Sequence, residues 1–367
     1  MAASPVIPVG ELTEVFGPAH DDAGEVVVER LYEPVASASV GIWRVRLGDR
    51  SAVLKLVAHS PGGSENWRSG PDPSHWYYWR REVLAYETGL LRSLPGRLRA
   101  PRCSRVATRP DGSIALWLED LGDSTATDWS IERYGIAARH LGQTQGSFLT
   151  TTPLPHDDWL SRGWLHAYLG QRDGDFALLR DPSVRSDPRV TAHVPDSMAD
   201  EAIALRQDQR LFLDVIDRMP KTLCHLDLHP ANLFADGADA TVAIDWSFVG
   251  IGAIGEDAGN LVPDAVLDFH VPPEQIDDLH HAIRDGYEVG LRDRGWSGAR
   301  DTVTLAMSAT IAAKYAWILP ALVRAAIDDR ALLNGRPFEQ TLHWWIPTVR
   351  FIHERAEEAR ALAPHLR

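Results

Sequence analysis

Leu223-Cys224-His225-Leu226-Asp227-Leu228-His229-Pro230-Ala231-Asn232-Leu233-Phe234, followed a short hairpin later by Ala243-Ile244-Asp245-Trp246, decides how this chain is read. It carries three oxygen-bearing side chains, Asp227, Asn232 and Asp245, on a loop and a nearby strand end. Phosphoryl transfer needs such a set: a carboxylate to orient and deprotonate an attacking hydroxyl, and oxygen ligands that hold magnesium on nucleotide phosphates. Asp227 and Asn232 keep the spacing of a His-x-Asp followed by four residues and then Asn. Asp245 closes the β-rich run Thr241-Val242-Ala243-Ile244, where a second metal ligand belongs. Taken singly, these residues also fit an Asx turn and a strand-end cap; the joint pattern favours catalysis.

The wording around the three residues narrows the branch. A protein kinase would carry Lys or Arg within the loop and Asp-Phe-Gly at the metal aspartate. Here the loop holds His229-Pro230, and Trp246 follows the aspartate. In these features, from Thr222 to about Val262 and including Gly255-Glu256-Asp257, the chain resembles the aminoglycoside phosphotransferase and choline kinase family. That resemblance implies an α+β, protein-kinase-like fold of two lobes, with a small strand-rich N-lobe and a larger helical C-lobe. It also implies that Asp257 braces the catalytic loop and that His225 acts structurally beside the metal aspartate.

The N-terminal third meets the demands of that reading. Ser51-Ala52-Val53-Leu54-Lys55-Leu56-Val57 is a β-branched run around one lysine, suited to neutralising α- and β-phosphates. About one helix later, Arg80 to Leu91 has apolar residues at helical spacing, with Glu82 placed to pair with Lys55 and Glu87 as the other candidate. The loop between the strands at 25–32 and 42–47 reads Val35-Ala36-Ser37-Ala38-Ser39-Val40-Gly41 and lacks the Gly-x-Gly-x-x-Gly pattern. Its small residues let backbone N–H groups approach phosphate, with Ser37 and Ser39 adding hydroxyl donors, although an ordinary hairpin loop fits equally. Ser113 to Leu121 reads as the strand passing behind the nucleobase, and the resemblance puts backbone contacts at Glu119 to Leu121. Trp117 belongs to the core.

Composition fits two lobes. At 367 residues and 44% hydrophobic, the chain suits an N-lobe at residues 1–120 that binds nucleotide and a C-lobe at 121–367. A net charge of −14, with no basic block, argues against nucleic-acid binding. Cys103 and Cys224 are too few for a disulfide framework or a thiolate zinc site, and Cys224 reads as a small buried residue. No leader pattern or membrane-length apolar run is legible, so a cytoplasmic protein without membrane contact is expected. Oligomeric state is not legible.

Beyond Ser130 the pattern is mainly helical, with stretches at 130–149, 197–219, 273–294, 301–327 and 338–362. Residues 59–74 form a loop rich in Gly, Pro and Ser. Trp67, Trp76 and Tyr77 pack, or reach substrate if that loop folds inward. Asp264 and Asp268, four apart, are candidates for holding a cationic substrate, or else a solvated helix face. His280 and His281 are expected at the surface.

The whole implies a nucleotide- and Mg2+-dependent O-phosphotransferase acting on a hydroxyl of a small molecule, with ATP and GTP indistinguishable. The resemblance favours an antibiotic acceptor, aminoglycoside-like or other, whose phosphorylation gives resistance. A metabolic kinase of an amino sugar or choline-like alcohol, and a non-catalytic nucleotide-binding module, are the alternatives.

Overall fold

The structure, a computed structural model, describes residues 5–17, 25–32, 38–59, 67–171, 174–237 and 239–365. The N-terminal part is a five-stranded antiparallel sheet in the order Val26–Tyr32, Ser39–Leu47, Arg50–Val57, Ile114–Glu119, Cys103–Thr108. Alternation along the strands sorts the side chains onto two faces. Trp43, Val45, Leu54, Leu56 and Trp117 form one hydrophobic cluster with Phe16 of the helix Val9–Phe16. Lys55 falls between Leu54 and Leu56 and so points to the opposite face, where the helix Arg81–Glu87 packs.

The C-terminal part is helical, and its core is continuous with the second face of the sheet, where Val57, Val83, Leu116 and Leu118 join the same cluster. Its frame is the antiparallel pair Ile131–Thr150 and Ile276–Asp293. Ser130 caps the first of these by accepting from the N–H of Arg133. The two backbones meet at glycines: a Cβ on Gly142 would lie 2.2 Å from the Tyr287 carbonyl, and one on Gly290 2.1 Å from that of Arg139. Two small sheets stand against this frame. One, Leu98–Arg99, Ala240–Ala243 and Leu233–Asp236, ends just before Asp245; the other, Ser161–Arg162, Gly250–Ala253 and Lys221–Cys224, leads into His225.

Three expectations need correcting. The stretch at 301–327 is two helices, Arg300–Lys314 and Ile318–Ile327, because Pro320 lacks an N–H and fits the first turn of a helix. Residues 300–327 also pass for a membrane span by length and composition, with 89% of the apolar window buried inside the protein. His280 is fully buried, not at the surface: it shares the inward stripe Ile276, His280, Ile283, Tyr287, Leu291, and its ring meets Phe351. His281 is exposed as expected.

Candidate active site

A cleft of about 710 Å³ opens between the sheet and the helical part, and Lys55, Glu82, Asp227, Asn232 and Asp245 all line it. Each residue is held by its own local logic. Lys55 reaches across from the sheet, 2.6 Å from Glu82 and 2.8 Å from Asp245. Glu82 in turn accepts from the N–H of Trp246 at 3.3 Å. Glu87 is turned away and pairs with Arg80, leaving Glu82 as the lysine's partner. Lys55 and Glu82 are both buried, and the two carboxylates around the ammonium keep it protonated despite burial. Burial would raise Asp245, but Lys55 and the Ser247 hydroxyl outweigh it and hold the carboxyl at about 2.

The loop is wired from below by Asp257, which is fully buried. Its carboxylate accepts from the backbone N–H of His225 at 2.8 Å, that of Leu226 at 2.7 Å, and the amide of Gln145 at 2.8 Å. Those bonds hold Leu226 at φ 69°, a left-handed turn that aims Asp227 into the cleft. His225 bonds through Nε2 to the carbonyl of Ile244 at 2.8 Å, while its Nδ1 accepts from the Asp227 N–H at 3.3 Å. Both contacts require the neutral ring protonated at Nε2, and burial lowers its pKa to about 4. The ring thereby ties the loop at 225–232 to the strand end carrying Asp245.

Three side chains keep oxygens available to the cleft. The side chain of Asn232 donates from Nδ2 to the Asp227 carbonyl at 3.0 Å, and no described contact uses its Oδ1. Both contacts of Asp245, from Lys55 and Ser247, fall on Oδ1 and leave Oδ2 open. The Asp227 carboxylate receives no hydrogen bond among the described residues; burial raises its pKa, with His229 and Lys314 acting the other way. Two open amide and carboxylate oxygens beside a triphosphate-sized cleft suit a hard divalent cation. A bare carboxylate next to them suits a hydroxyl donor.

The other predicted positions separate. Ser39, Glu119 and Leu121 line the cleft, whereas Ser37 lies outside the described residues. The Glu119 side chain turns away to Arg99 at 2.8 Å and Arg102 at 3.1 Å, and its N–H bonds to the Arg102 carbonyl. Asp264 is 3.2 Å from Lys314, and Asp268 is exposed beyond it.

Sequence reading missed several supports. Arg44 lines the cleft and bridges to Asp120 at 2.8 Å and Asp123 at 2.6 Å, joining the second strand to the segment after the fourth. Arg81, 1% exposed, donates among the described residues to four backbone carbonyls, those of His75, Trp76, Trp159 and Ser247. Tyr287 donates to Gln145, extending the brace of Asp257 into the helical frame. A charged residue inside an apolar run was the available signal for Lys314; the others have none, since their partners lie far along the chain.

With this geometry in view, the sequence matches the family model described as the phosphotransferase enzyme family over residues 32–297. The chain belongs to that family. The matched span runs from the first strand to beyond the Ile276–Asp293 helix and so includes every residue of the cleft discussed above. No curated protein sequence matches the chain. Among solved structures it is similar to an aminoglycoside phosphotransferase from Alicyclobacillus acidocaldarius, with 16% identity and TM-score 0.52 over 100% of this chain and 96% of that one. It is similar to an amicoumacin kinase solved with AMP-PNP, Ca2+ and Ami, with 11% identity and TM-score 0.51 over 89% and 88% of the two chains. A choline kinase from Cryptosporidium parvum shares 9% identity, with TM-score 0.50 over 92% and 91%. These likenesses establish the kinase-like fold of this phosphotransferase, with its strand-rich N-terminal region and helical C-terminal part.

Proposed function

We propose that this phosphotransferase moves the terminal phosphoryl group of ATP or GTP, with Mg2+, onto a hydroxyl of a small molecule. One observation carries the reading: Asp227, Asn232, Asp245 and the Lys55–Glu82 pair converge on one cleft although they come from four separate segments. The Asp227 carboxylate accepts a hydrogen bond from the acceptor hydroxyl and takes its proton. The hydroxyl oxygen bonds to the γ-phosphorus as the bond from phosphorus to the β–γ bridging oxygen breaks, leaving the nucleoside diphosphate. Lys55, fixed by Glu82, neutralises the α- and β-phosphates. Asn232 and Asp245 would hold the metal, which supplies positive charge at the bridging and terminal phosphate oxygens. Because the transferred group is loosely bonded at the transition state, positioning and charge matter more than the strength of the base.

In this proposal residues 1–120 bind the nucleotide, with Ser39 and the backbone near Leu121 around it, and residues 121–367 supply the catalytic loop. We place the reaction in the cytoplasm. An antibiotic alcohol is the acceptor we favour, since structures sharing the fold include the amicoumacin kinase. A metabolic alcohol is the second reading, supported by the choline kinase. Expression in a sensitive host separates them. Resistance lost in Asp227→Ala supports the antibiotic reading, and unchanged sensitivity with a phosphorylated host metabolite supports the other.

A further inference from the structure

Alternation along the strands fixes which residues cover the base end of the cleft. Trp43, Val45 and Leu47 face the cluster around Phe16, so their neighbours Ile42 and Arg44 face the cleft, and both line it. The ladder sorts this face of the sheet into rows. Ile42, Lys55 and Leu116 are paired side by side in one row, and Arg44, Val53 and Leu118 in the next, about 7 Å away along the strands. In the proposed reaction Lys55 lies at the α- and β-phosphates. The row of Arg44 is the one that adjoins Glu119 to Asp123, which also line the cleft, so this row covers the nucleoside. Phe234 and Ile244 line the cleft from the helical side.

Arg44 is an unexpected occupant of that row. Its side chain is 4% exposed and stands beside Val53 and Leu118, yet it carries a full charge. Three carboxylates offset the charge: Asp120 is 2.8 Å from Nε, Asp123 2.6 Å from Nη2 and Glu29 3.6 Å from Nη1. They come from both sides of the strand, Glu29 from Val26–Tyr32 and the two aspartates from the segment after Ile114–Glu119. The N–H groups of a guanidinium lie in its plane, so these contacts occupy its edges and leave its flat faces for stacking. A guanidinium is also weakly hydrated and packs well on an aromatic face, which a lysine ammonium at this position would do less well.

We propose that Arg44 lays a flat face of its guanidinium over the nucleobase, with Val53 beside it and Phe234 and Ile244 opposite, and so holds the base of ATP or GTP. This rests on the kinase reading above and deepens it, by assigning the binding of the base to a residue on the sheet side of the cleft. A flat face presents no pattern of donors and acceptors, so the contact reads the ring itself and leaves the exocyclic groups to other parts of the site.

The test separates a residue that covers the base from one that only ties the strand to its neighbours. Removing Arg44 alone leaves Asp120, whose side chain is 9% exposed, without its cation, so each variant also carries Asp120→Asn. Arg44→Leu with Asp120→Asn and Arg44→Ser with Asp120→Asn lose the same ion pairs, and only the first keeps a side chain large enough to cover a ring. Calorimetric titration of the full chain with AMP-PNP and Mg2+ should show the serine variant binding about tenfold more weakly than wild type and the leucine variant within about threefold of it. Equal losses in the two variants overturn the inference, because they show that the ion pairs alone matter. A second measurement needs no variant. In a crystal structure of the wild type with AMP-PNP and Mg2+, Arg44 Cζ should lie within about 6 Å of the centroid of the base. A base bound away from Arg44 overturns the inference and leaves the kinase reading standing, whereas failure of the wild type to bind AMP-PNP with Mg2+ counts against the kinase reading itself.

Discussion

The Lys55 side chain links the two parts of the molecule with one charge. Its ammonium and the Glu82 carboxylate are 4% and 3% exposed, so neither can be rescued by water if the other is removed. Lys55→Met therefore strands a buried carboxylate and should cost about 3–5 kcal/mol of stability, read by denaturant unfolding. An unchanged midpoint would show that the pair is unimportant to the fold. Asp227 is the opposite case. Its carboxylate accepts nothing from the protein among the described residues, so exchanging it should affect chemistry and leave melting unchanged. Residues of this kind were legible in sequence because chemistry dictates both their type and their spacing. Asp227, Asn232 and Asp245 are read from one contiguous stretch, and Glu82 was separated from Glu87 only when the helix face was seen. The pairing of Asp264 with Lys314 was not legible, because no local rule joins a carboxylate to a lysine fifty residues away.

At the scale of elements, the loop carrying Asp227 inherits its position from the helical frame. Tyr287 holds Gln145, Gln145 holds Asp257, and Asp257 holds the backbone of His225 and Leu226. This relay depends on how closely the helices Ile131–Thr150 and Ile276–Asp293 approach. Gly290→Ala puts a methyl group 2.1 Å from the Arg139 carbonyl, where backbone rather than a flexible side chain must move. The variant should lose about 1–3 kcal/mol. Hydrogen exchange at His225 and Leu226 should rise with it; a loss of stability without faster exchange at the loop would show that the relay does not transmit the displacement. The helices themselves were predicted from apolar periodicity. Their close contact was not, since a glycine in a helix signals weakness locally and reveals its packing role only when the facing backbone is known. His280 is a different case: its place on the stripe Ile276, His280, Ile283, Tyr287, Leu291 is periodic in the sequence, and the expectation of a surface residue overlooked that spacing.

For the molecule as a whole, acid stability should reflect buried neutral histidines. Burial, helped by Arg133, Arg97 and Arg139, lowers His140 to about 4, whereas an unfolded histidine titrates near about 6.5. Between those values the unfolded chain binds a proton that the folded chain refuses, so this residue's contribution falls as pH falls. Glu256, raised to about 7, and Asp257, raised to about 6, act in the other direction, because their folded forms take up protons first. The difference between wild type and variant isolates the histidine. His140→Asn should be less stable than wild type near pH 7.5, through loss of the Thr241 contact, and that deficit should narrow toward pH 5. A deficit that stays constant or widens would show that His140 is charged in the folded state.

In the proposed reaction Asp227, across the cleft from Lys55 and beside Asn232 and Asp245, directs phosphoryl transfer to an alcohol. The most direct measurement incubates the enzyme with Mg2+, ATP or GTP and a panel of hydroxylated antibiotics, aryl glycosides, amino sugars and amino alcohols, and reads products by mass. One acceptor should gain a single phosphoryl group, with the rate reduced about 10²–10⁴-fold in Asp227→Asn at an unchanged melting temperature. Transfer that proceeds at the wild-type rate in Asp227→Asn would contradict it.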